Sequence, residues 1–321
     1  MRVGLAEAEA VVGRILVASG ASEANAGSVA RALVLAEADG LKGHGLSRVA
    51  SYAAQARCGK VDGKAVPTSV RSAPGVLAVD AAHGFAYPAI DIAVAGLIPL
   101  AQEQGIAAAG IRRSHHCGAM SLVVERFAEA GLVTLMVANT PGAIAPWGGR
   151  RALFGTNPIA AGFPRAGQPP VIIDLSLSKV ARGNILAAKQ RGEPIPEGWA
   201  LDADGAATTD PARALAGTML PMGDAKGTAL AMMVELLAAG LTGSHYAHQA
   251  SSFLDDAGGP PGTGQMLIAI APGVMGGGSS HLEILIEAVA AEPNARLPGS
   301  RRLLSRQRAL VEGVELGDLS P

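Results

Sequence analysis

Short apolar runs separated by glycines and by helical stretches fill the chain from Val76 onward, and this alternation constrains the fold more than any other feature. The runs predict β-strands at residues 76–79, 106–111, 132–138, 171–173 and 266–270. Apolar residues with a helical period predict helices between them, at residues 89–104, 119–130 and 227–241. Alternating elements of this kind predict an α/β sheet covered by helices.

The first 74 residues have a different pattern. Apolar residues recur every three or four positions over residues 5–39, as in helices, and Ser22 can cap a second helix after a turn at Gly20. Glycines interrupt the pattern at 40–45 before it resumes at 47–59. We expect an N-terminal helical domain at 1–74 and an α/β domain at 75–284. The C-terminal segment, about 285–321, is a candidate to pack with the helical domain.

Composition argues against several classes of protein. The formal net charge is -1, so no electrostatic field favours nucleic acid or an anionic membrane. No apolar run approaches the ~18–20 residues of a membrane span, and the N-terminus lacks the order of regions found in a signal peptide. Two cysteines cannot form a disulfide framework. We expect a cytoplasmic protein without nucleic-acid or membrane partners.

Several common site motifs are missing. No G-x-G-x-x-G follows a predicted strand, and neither a Walker A motif nor a G-x-S-x-G nucleophile elbow occurs. Asp202 and Asp204 resemble the start of a calcium loop, but alanines follow where ligand and glycine are required, so we predict a turn. His115, His116 and Cys117 have no second ligand pair at matching spacing, and we predict no metal.

The sequence GHGLSR at residues 43–48, together with Tyr52, is the first candidate site. If a helix starts near Gly45, then His44, Arg48 and Tyr52 share one face at steps of four. His44 would lie at the helix N-terminus, where the dipole disfavours imidazolium and favours an anion. A proton donor beside a guanidinium that binds a carboxylate suits the reduction of a 2-oxo or 2-imino acid. A glycine turn with a capping histidine and a surface arginine is the alternative.

The sequence IRRSHHCGAM at residues 111–120 joins a predicted strand to a predicted helix. Backbone N–H groups at such a helix start can hold a pyrophosphate without the usual glycines. An ordinary strand-to-helix turn that carries two histidines is the alternative.

Three further segments carry suitable groups, each with a plainer alternative. Thr156 and Asn157 offer donors on a loop, although Asn-Pro commonly makes a simple turn. Asp174 follows a predicted strand, where a carboxylate can bind ribose hydroxyls and nearby serines can cap a helix. Lys226 precedes an apolar helix and could meet a phosphate or remain solvated.

In this order the segments resemble the malate/L-lactate dehydrogenase-like family of NAD(P)-dependent oxidoreductases, the "type 2" enzymes without a Rossmann fold. The resemblance runs through nearly the whole chain: GHGLSRV, SHHCGA, APWGG, FGTNP, IIDLSLSKVARG, PIPEGWALDADG, GDAKG and RLPGSRR. It implies a non-Rossmann NAD(P)-binding α/β domain at 75–284 that also holds substrate. It further implies NAD(P)H as cofactor, a small carboxylate as substrate and a homodimer.

The resemblance also implies residue roles. His44 resembles the general acid that protonates the substrate as hydride arrives, and His116 is the competing acid/base candidate. The implied substrate-binding residues are Arg48, Tyr52, Arg57 and Thr156. The implied cofactor-binding residues are His116, Cys117, Gly118, Ala119, Met120, Thr140, Asp174, Leu175, Ser176, Lys226, Arg301 and Arg302.

Two positions depart from the family pattern. Gly43 stands where most relatives have serine, and Asn184 falls near an aspartate that forms a relay in the cyclic-imine branch. An asparagine cannot stabilise an imidazolium as a carboxylate does. We therefore predict hydride transfer at the α-carbon of a 2-oxo/2-hydroxy acid such as malate, lactate or sulfolactate. Reduction of cyclic imino acids (1-piperideine-2-carboxylate, 1-pyrroline-2-carboxylate) and a catalytically lapsed ligand-binding relative are the alternatives.

Overall fold

Helices and strands alternate along the chain over residues 1–319, the part that the computed structural model describes. The helices are α1 (Leu5–Ala18), α2 (Glu23–Ala38), α3 (Val49–Cys58), α4 (Ala86–Gln104), α5 (Ser121–Glu129), α6 (Arg182–Arg191), α7 (Pro211–Ala216), α8 (Ala225–Glu235), α9 (Gly278–Ala291) and α10 (Ser300–Glu312). The strands are β1 (Arg2–Val3), β2 (Thr68–Ala73), β3 (Val76–Asp80), β4 (Ile106–Ser114), β5 (Val133–Ala138), β6 (Ile159–Phe163), β7 (Val171–Leu175), β8 (Ala200–Leu201), β9 (Ala207–Thr208), β10 (Thr218–Met219), β11 (Thr263–Ile270) and β12 (Val314–Glu315).

A seven-stranded sheet with the order β2-β3-β4-β11-β5-β6-β7 forms the centre of the fold. β3 and β4 are parallel and joined by α4, whereas the other neighbouring strands of this sheet are antiparallel. α4 and α5 cover one face, where Met136 and Leu267 are buried, and α8 covers the other, where Val137 and Met266 pack. The predicted α/β sheet covered by helices is confirmed. Its mostly antiparallel pairing differs from the parallel sheet of doubly wound dinucleotide-binding folds.

Each of the five predicted strands is present, and two strands of the sheet were not predicted. β2 is an edge strand whose six residues are all exposed, so it lacks the alternating apolar pattern that marks a half-buried strand. β6 contains Gly162, where a Cβ would lie 2.6 Å from the carbonyl oxygen of Val124. The close approach of α5 therefore puts glycine where a strand pattern would show a side chain.

The N-terminal helices form as predicted, and the Oγ of Ser22 accepts a hydrogen bond from the Asn25 amide at the start of α2. The helical run expected to start near Gly45 begins there, with Gly45 as the N-cap of a 3₁₀ turn that leads into α3. Two 3₁₀ turns, Lys42–His44 and Leu46–Arg48, precede α3. Glu37 of α2 lies against this turn: its Oε2 accepts the Leu46 amide at 3.0 Å and would overlap any side chain at Gly45. His44 therefore ends a 3₁₀ turn and does not lie at the N-terminus of α3.

A smaller antiparallel sheet, β10-β8-β9, packs with α6 and α7 around Ile144, Ile185 and Ala200. Asp202 follows β8, and its Oδ1 accepts the amides of Asp204 and Ala206, which makes the predicted turn. No helix within residues 1–319 has both the length and the apolar character needed to cross a membrane.

The C-terminal segment returns to the N-terminal helices. α10 packs against α2, and β12 pairs with β1. Arg302 and Arg306 of α10 pair with Asp39, directly after α2, and with Glu125 of α5, at distances of 2.5–2.8 Å. This four-residue ion-pair network joins three helices in the interior. The division into domains at residue 74 stays a prediction.

Replacing Arg302 with leucine leaves the buried carboxylates of Asp39 and Glu125 with Arg306 alone. Because an incompletely compensated buried charge is costly, we expect the free energy of unfolding to fall by about 3–5 kcal/mol. Urea unfolding followed by circular dichroism would measure the loss. Arg301→Leu, at the exposed neighbouring position, is the matched control and should change stability by no more than about 0.5 kcal/mol. Equal losses would contradict this account of the network.

Candidate active site

The imidazoles of His44 and His116 lie against each other where the N-terminal helices meet the central sheet. Their ring centroids are 5.5 Å apart and the planes differ by 19°. His44 comes from the 3₁₀ turn before α3, and His116 comes from the loop between β4 and α5. The structure thus brings the two predicted acid/base candidates together.

Two residues of α3 hold two consecutive histidines. The Oη of Tyr52 lies 2.5 Å from Nδ1 of His116 and 3.2 Å from the Oη of Tyr87. One turn further along α3, Oε1 of Gln55 lies 2.6 Å from Nε2 of His115. Since an amide oxygen only accepts, His115 donates from Nε2. Tyr52, Gln55 and both histidines are buried, so α3 and the 115–116 loop are locked together.

The scarce aromatic residues of the chain concentrate at this point. Only three tyrosines and five phenylalanines occur in 321 residues. Tyr52, Tyr87, Phe85 and Phe253 nevertheless lie in one cluster with the two adjacent histidines. The cluster gives the imidazoles an apolar surround with few competing hydrogen-bond partners.

Arg48 supplies the positive charge of the site. Its Nε donates to the carbonyl of Gly43 at 2.6 Å, which fixes the guanidinium beside the histidines. Its two η nitrogens make no hydrogen bond with any residue in 1–319, and the side chain is half-buried. This geometry leaves the two-pronged edge of the guanidinium free for an anion such as a carboxylate.

Both imidazoles are neutral in this environment. Burial, and then the charge of Arg48, lowers the pKa of His44 to about 4. The same two causes hold the pKa of His116 well below its usual value. Burial raises the pKa of Tyr52 to about 12, so its phenol keeps its proton. The cluster therefore offers neutral hydrogen-bonding groups beside one fixed cation.

The loop 115–120 is buried along its whole length. Gly118 has a left-handed backbone (φ +67°), and a Cβ there would lie 2.5 Å from the Tyr87 hydroxyl. Burial and the charge of Asp174 raise the pKa of the Cys117 thiol to about 12, so it stays protonated. Cys117, Gly118, Ala119 and Met120 can therefore contribute backbone groups and shape more readily than reactive side chains.

The expectation that the first amides of α5 are free to hold a pyrophosphate is not met at Ser121. Its N–H donates to Oδ2 of Asp174, at the end of β7, at 2.7 Å. A carboxylate thus already occupies this part of the positive end of the helix. Asp174 thus caps the start of α5, a contact that the sequence did not predict, and its role as a ribose ligand stays a prediction.

A second group of predicted residues lies on adjoining loops. The Oγ1 atoms of Thr140 and Thr156 are 3.2 Å apart, and the Thr156 carbonyl accepts the Leu177 amide at 2.8 Å. The Leu177 carbonyl in turn accepts the Met222 amide at 2.8 Å. These bonds connect the threonines through the 174–178 segment, which carries Leu175 and Ser176, to the exposed Lys226 in the first turn of α8.

Glu235 holds the two loops that carry Thr140 and Thr156 through buried hydrogen bonds. It is 3 % exposed, and its carboxylate accepts the side-chain amides of Asn139 and Asn157 at 3.2 and 2.9 Å. It also accepts the backbone amide of Ala247 at 3.1 Å. Asn139 and Asn157 adjoin Thr140 and Thr156, so this buried carboxylate sets the spacing of both threonines.

Three predicted site arginines are not in the cluster. Arg57 is exposed at the end of α3 and donates to the Oγ of Ser19 at 2.9 Å. Arg302 is buried in the ion-pair network with Asp39 and Glu125, so its guanidinium is committed to structure. Arg301 is exposed at the start of α10 and has no ion pair with another residue of 1–319.

The two positions that depart from the family pattern do not form a relay in this chain. A Cβ at Gly43 would meet no atom within 4 Å, so the missing serine has no steric cause. Asn184 lies on the exposed side of α6, and within residues 1–319 it makes no hydrogen bond with His44.

Sequence reasoning missed Gln55, Tyr87, Glu235 and Phe253. Gln55 lies three residues after Tyr52, close to the same face of α3, and this spacing was a signal for it. The rarity of tyrosine and phenylalanine was a signal for Tyr87 and Phe253, because few aromatics in a large core suggest a dedicated use. Nothing in the sequence marked Glu235, whose partners Asn139 and Asn157 are distant in the chain.

Comparison with known proteins is consistent with this geometry. The family model described as malate/L-lactate dehydrogenase matches residues 3–319. A (2R)-3-sulfolactate dehydrogenase (NADP(+)) of Chromohalobacter salexigens is 52% identical over 98% of this chain and 94% of its own. A Delta(1)-pyrroline-2-carboxylate reductase of Ancylobacter novellus is 43% identical over the same shares. The crystal structure of delta1-piperideine-2-carboxylate reductase from Pseudomonas syringae pathovar tomato superposes with a TM-score of 0.94 at 39% identity over 100% of both chains.

The chain belongs to the malate/L-lactate dehydrogenase family. It is an oxidoreductase of the NAD(P)-dependent kind that acts on small carboxylic acids. The predicted family, enzyme class and cofactor class are confirmed, whereas the role of each site residue stays a prediction.

Replacing Arg48 with glutamine removes the cation that lowers the pKa of His44. We expect this pKa to rise above about 4 without reaching 6.5, because burial, the larger cause, remains. NMR titration of the imidazole C–H resonances would measure the change. Arg57→Gln is the matched control and should leave the value at about 4, because Arg57 bonds to Ser19 elsewhere. Equal shifts in both variants would show that Arg48 does not act directly on His44.

Proposed function

We propose that this enzyme interconverts a 2-hydroxy acid and the 2-oxo acid with NADP(H), with a 3-sulfolactate-like acid as the first candidate substrate. The observation that carries the proposal is the guanidinium of Arg48 beside the neutral imidazoles of His44 and His116; its two η nitrogens bond to no residue of 1–319. The 52% identical relative, which is an NADP(+)-dependent sulfolactate dehydrogenase, supports this choice of substrate and cofactor.

Arg48 would bind the carboxylate next to the reacting carbon. Two parallel N–H···O bonds from one guanidinium fix the plane of a carboxylate, and with it the position of the α-carbon. Binding the anion also offsets the charge that lowers the pKa of His44. The substrate thereby brings the proton affinity of His44 closer to that needed for proton transfer in both directions.

His44 would carry the proton. In the oxidation of a hydroxy acid, neutral His44 takes the hydroxyl proton as the C–H electron pair leaves the α-carbon as hydride. In reduction, protonated His44 returns the proton to the oxygen. The nicotinamide ring, when bound, supplies or takes the hydride.

His116 would donate a hydrogen bond without exchanging its proton. The Tyr87 hydroxyl bonds only to Tyr52 among residues 1–319. All protons find acceptors only if Tyr87 donates to Tyr52 and Tyr52 donates to Nδ1 of His116. The opposite order buries a hydroxyl proton without an acceptor, which costs about 1–3 kcal/mol. His116 then carries its proton on Nε2 and can hold the substrate oxygen while His44 transfers the proton.

The residues present fit a dinucleotide. Lys226 is an exposed cation in the first turn of α8, where the helix dipole also favours a phosphate. The loop 116–120, the hydroxyl of Thr140, the segment Asp174–Ser176 and Arg301 are the other groups proposed to hold it. Arg302 and Arg57 are not proposed as ligands, because both side chains are bonded elsewhere.

A small panel of substrates tests the proposal. We expect sulfopyruvate to oxidise NADPH, and 3-sulfolactate to reduce NADP⁺, more efficiently than pyruvate or oxaloacetate and their hydroxy acids. His44→Gln should lower kcat by roughly 10²- to 10⁴-fold, the usual worth of a positioned acid/base group. Cofactor absorbance measures both.

Turnover of 1-pyrroline-2-carboxylate or 1-piperideine-2-carboxylate alone would replace the oxo-acid proposal with the cyclic-imine reductase. Cofactor binding without any turnover would favour a lapsed relative. Normal turnover by folded His44→Gln would move the proton transfer to His116.

We also propose that the enzyme is a homodimer. α9 buries none of its side chains in this chain, and Ile284 and Leu285 are 63 % and 69 % exposed. The outer side of α8 likewise exposes Met232 and Met233 at 52 % and 42 %. Exposed apolar helices of this kind are typical of protein interfaces. The resemblance to the family favours a second copy of the chain as the partner.

Analytical ultracentrifugation tests the dimer. The native protein should sediment at about twice its 32.2 kDa, and Leu285→Asp should shift it towards the monomer because a charge is buried in the interface. Val66→Asp, at a 78 % exposed position outside both helices, is the control and should leave the dimer intact. A monomeric native protein would contradict the proposal, and a dimeric Leu285→Asp protein would exclude α9 from the interface.

A further inference from the structure

We propose that Phe253 is a specificity-determining wall of the active site and that Lys60 is the positioning residue that holds it there. The inference rests on the proposed function, because it concerns the substrate pocket beside His116. Neither residue belongs to the motifs that carried the resemblance.

Phe253 lies in a segment without helix or strand. This segment follows the helical turn Leu236–Gly240 and precedes β11. The segment is at the surface, since the next residue, Leu254, is 55 % exposed, yet Phe253 is only 7 % exposed. Its ring centroid is 5.1 Å from those of both His115 and His116. The ring thus packs directly against a histidine of the proposed chemistry.

Lys60 follows α3 and is the anchor of this loop. Its side chain has no exposed surface. Nζ donates to the main-chain carbonyls of Ser252, Asp255 and Ala257 at 2.7, 3.0 and 2.6 Å. All three protons of the ammonium group are therefore used. Three carbonyl oxygens that converge on one point repel each other, so the turn keeps this shape only around a cation.

Gln55 also attaches the loop around Phe253 to α3. Its Nε2 donates to the Phe253 carbonyl at 3.0 Å, while its Oε1 accepts from His115. α3 and Lys60 therefore hold the loop at residues 252, 253, 255 and 257, and the same helix holds both histidines. This shared support fixes the distance between the Phe253 ring and the imidazoles.

The wall has a chemical consequence. A large ring beside His116 limits the length of the side chain on the substrate α-carbon and keeps water from the imidazoles. Truncating the ring opens space for an added methylene group. A loop that is no longer held at Lys60 releases the same space, because the ring moves with its backbone.

The experiment compares Phe253→Ala, Lys60→Met, the double variant and Lys64→Met, an exposed lysine close in sequence. The readout is the ratio of kcat/KM for 2-oxopentanoate to that for pyruvate with NADPH, which does not depend on the fraction of folded enzyme. We expect Phe253→Ala and Lys60→Met each to raise this ratio about tenfold or more, the usual effect of pocket size on added methylenes. The double variant should match Phe253→Ala, and Lys64→Met should match the native enzyme.

Proton NMR of the His115 and His116 rings gives a readout without turnover. The Phe253 ring shifts these resonances, so Lys60→Met should move them in the same direction as Phe253→Ala. If no panel substrate reacts, the proposed function fails, while this measurement still decides the role of Lys60. Unchanged resonances and an unchanged ratio in Lys60→Met would show a purely structural lysine. An unchanged ratio in Phe253→Ala would overturn the wall, and multiplicative effects in the double variant would show that Lys60 acts independently of Phe253.

Discussion

The buried hydrogen bond between Tyr52 and His116 is the contact on which the candidate site depends. Its two halves come from elements 64 residues apart, and both lie out of contact with water. A buried polar group without a partner costs about 1–3 kcal/mol, so these side chains favour burial only where α3 and the loop after β4 pack together. The neighbouring bond from Gln55 to His115 repeats this requirement one helical turn later. The contacts that pack α3 against the loop after β4 are therefore the same contacts that assemble the site.

The electrostatics of the site oppose proton binding in the free enzyme. Among the described residues no carboxylate bonds to Arg48, which lies beside His44 and His116 and adds to the effect of burial on the pKa of both imidazoles. The positive charge of Arg48 therefore disfavours protonated histidines and favours the binding of an anion. Substrate binding and the protonation of His44 therefore depend on each other. A ligand without a carboxylate leaves the pKa of His44 low, and His44 then stays unprotonated at neutral pH.

The sequence pattern predicted the elements whose formation depends on residues close together in the chain. The spacing of apolar residues was enough to predict α1, α2 and five strands of the sheet, because these elements bury their own faces. It did not distinguish the 3₁₀ geometry of the turn Leu46–Arg48 from the α-helix that follows it. It could not separate Arg302 from Arg301 either, since only the distant Asp39 and Glu125 distinguish a buried arginine from an exposed one. The family resemblance named both arginines, because a motif contains no information about which of two adjacent side chains has buried partners.

The pairing of the strands explains why no glycine fingerprint was found. A doubly wound fold places a dinucleotide at the amino end of one helix between parallel strands. Here β11 runs antiparallel between β4 and β5, and Asp174 caps the helix that follows β4. The free N-terminal charge of that helix is thus reduced. If the segments proposed above bind the cofactor, recognition of its phosphates must be distributed over loops and side-chain cations such as Lys226, so weakening any one of them should reduce affinity without abolishing it.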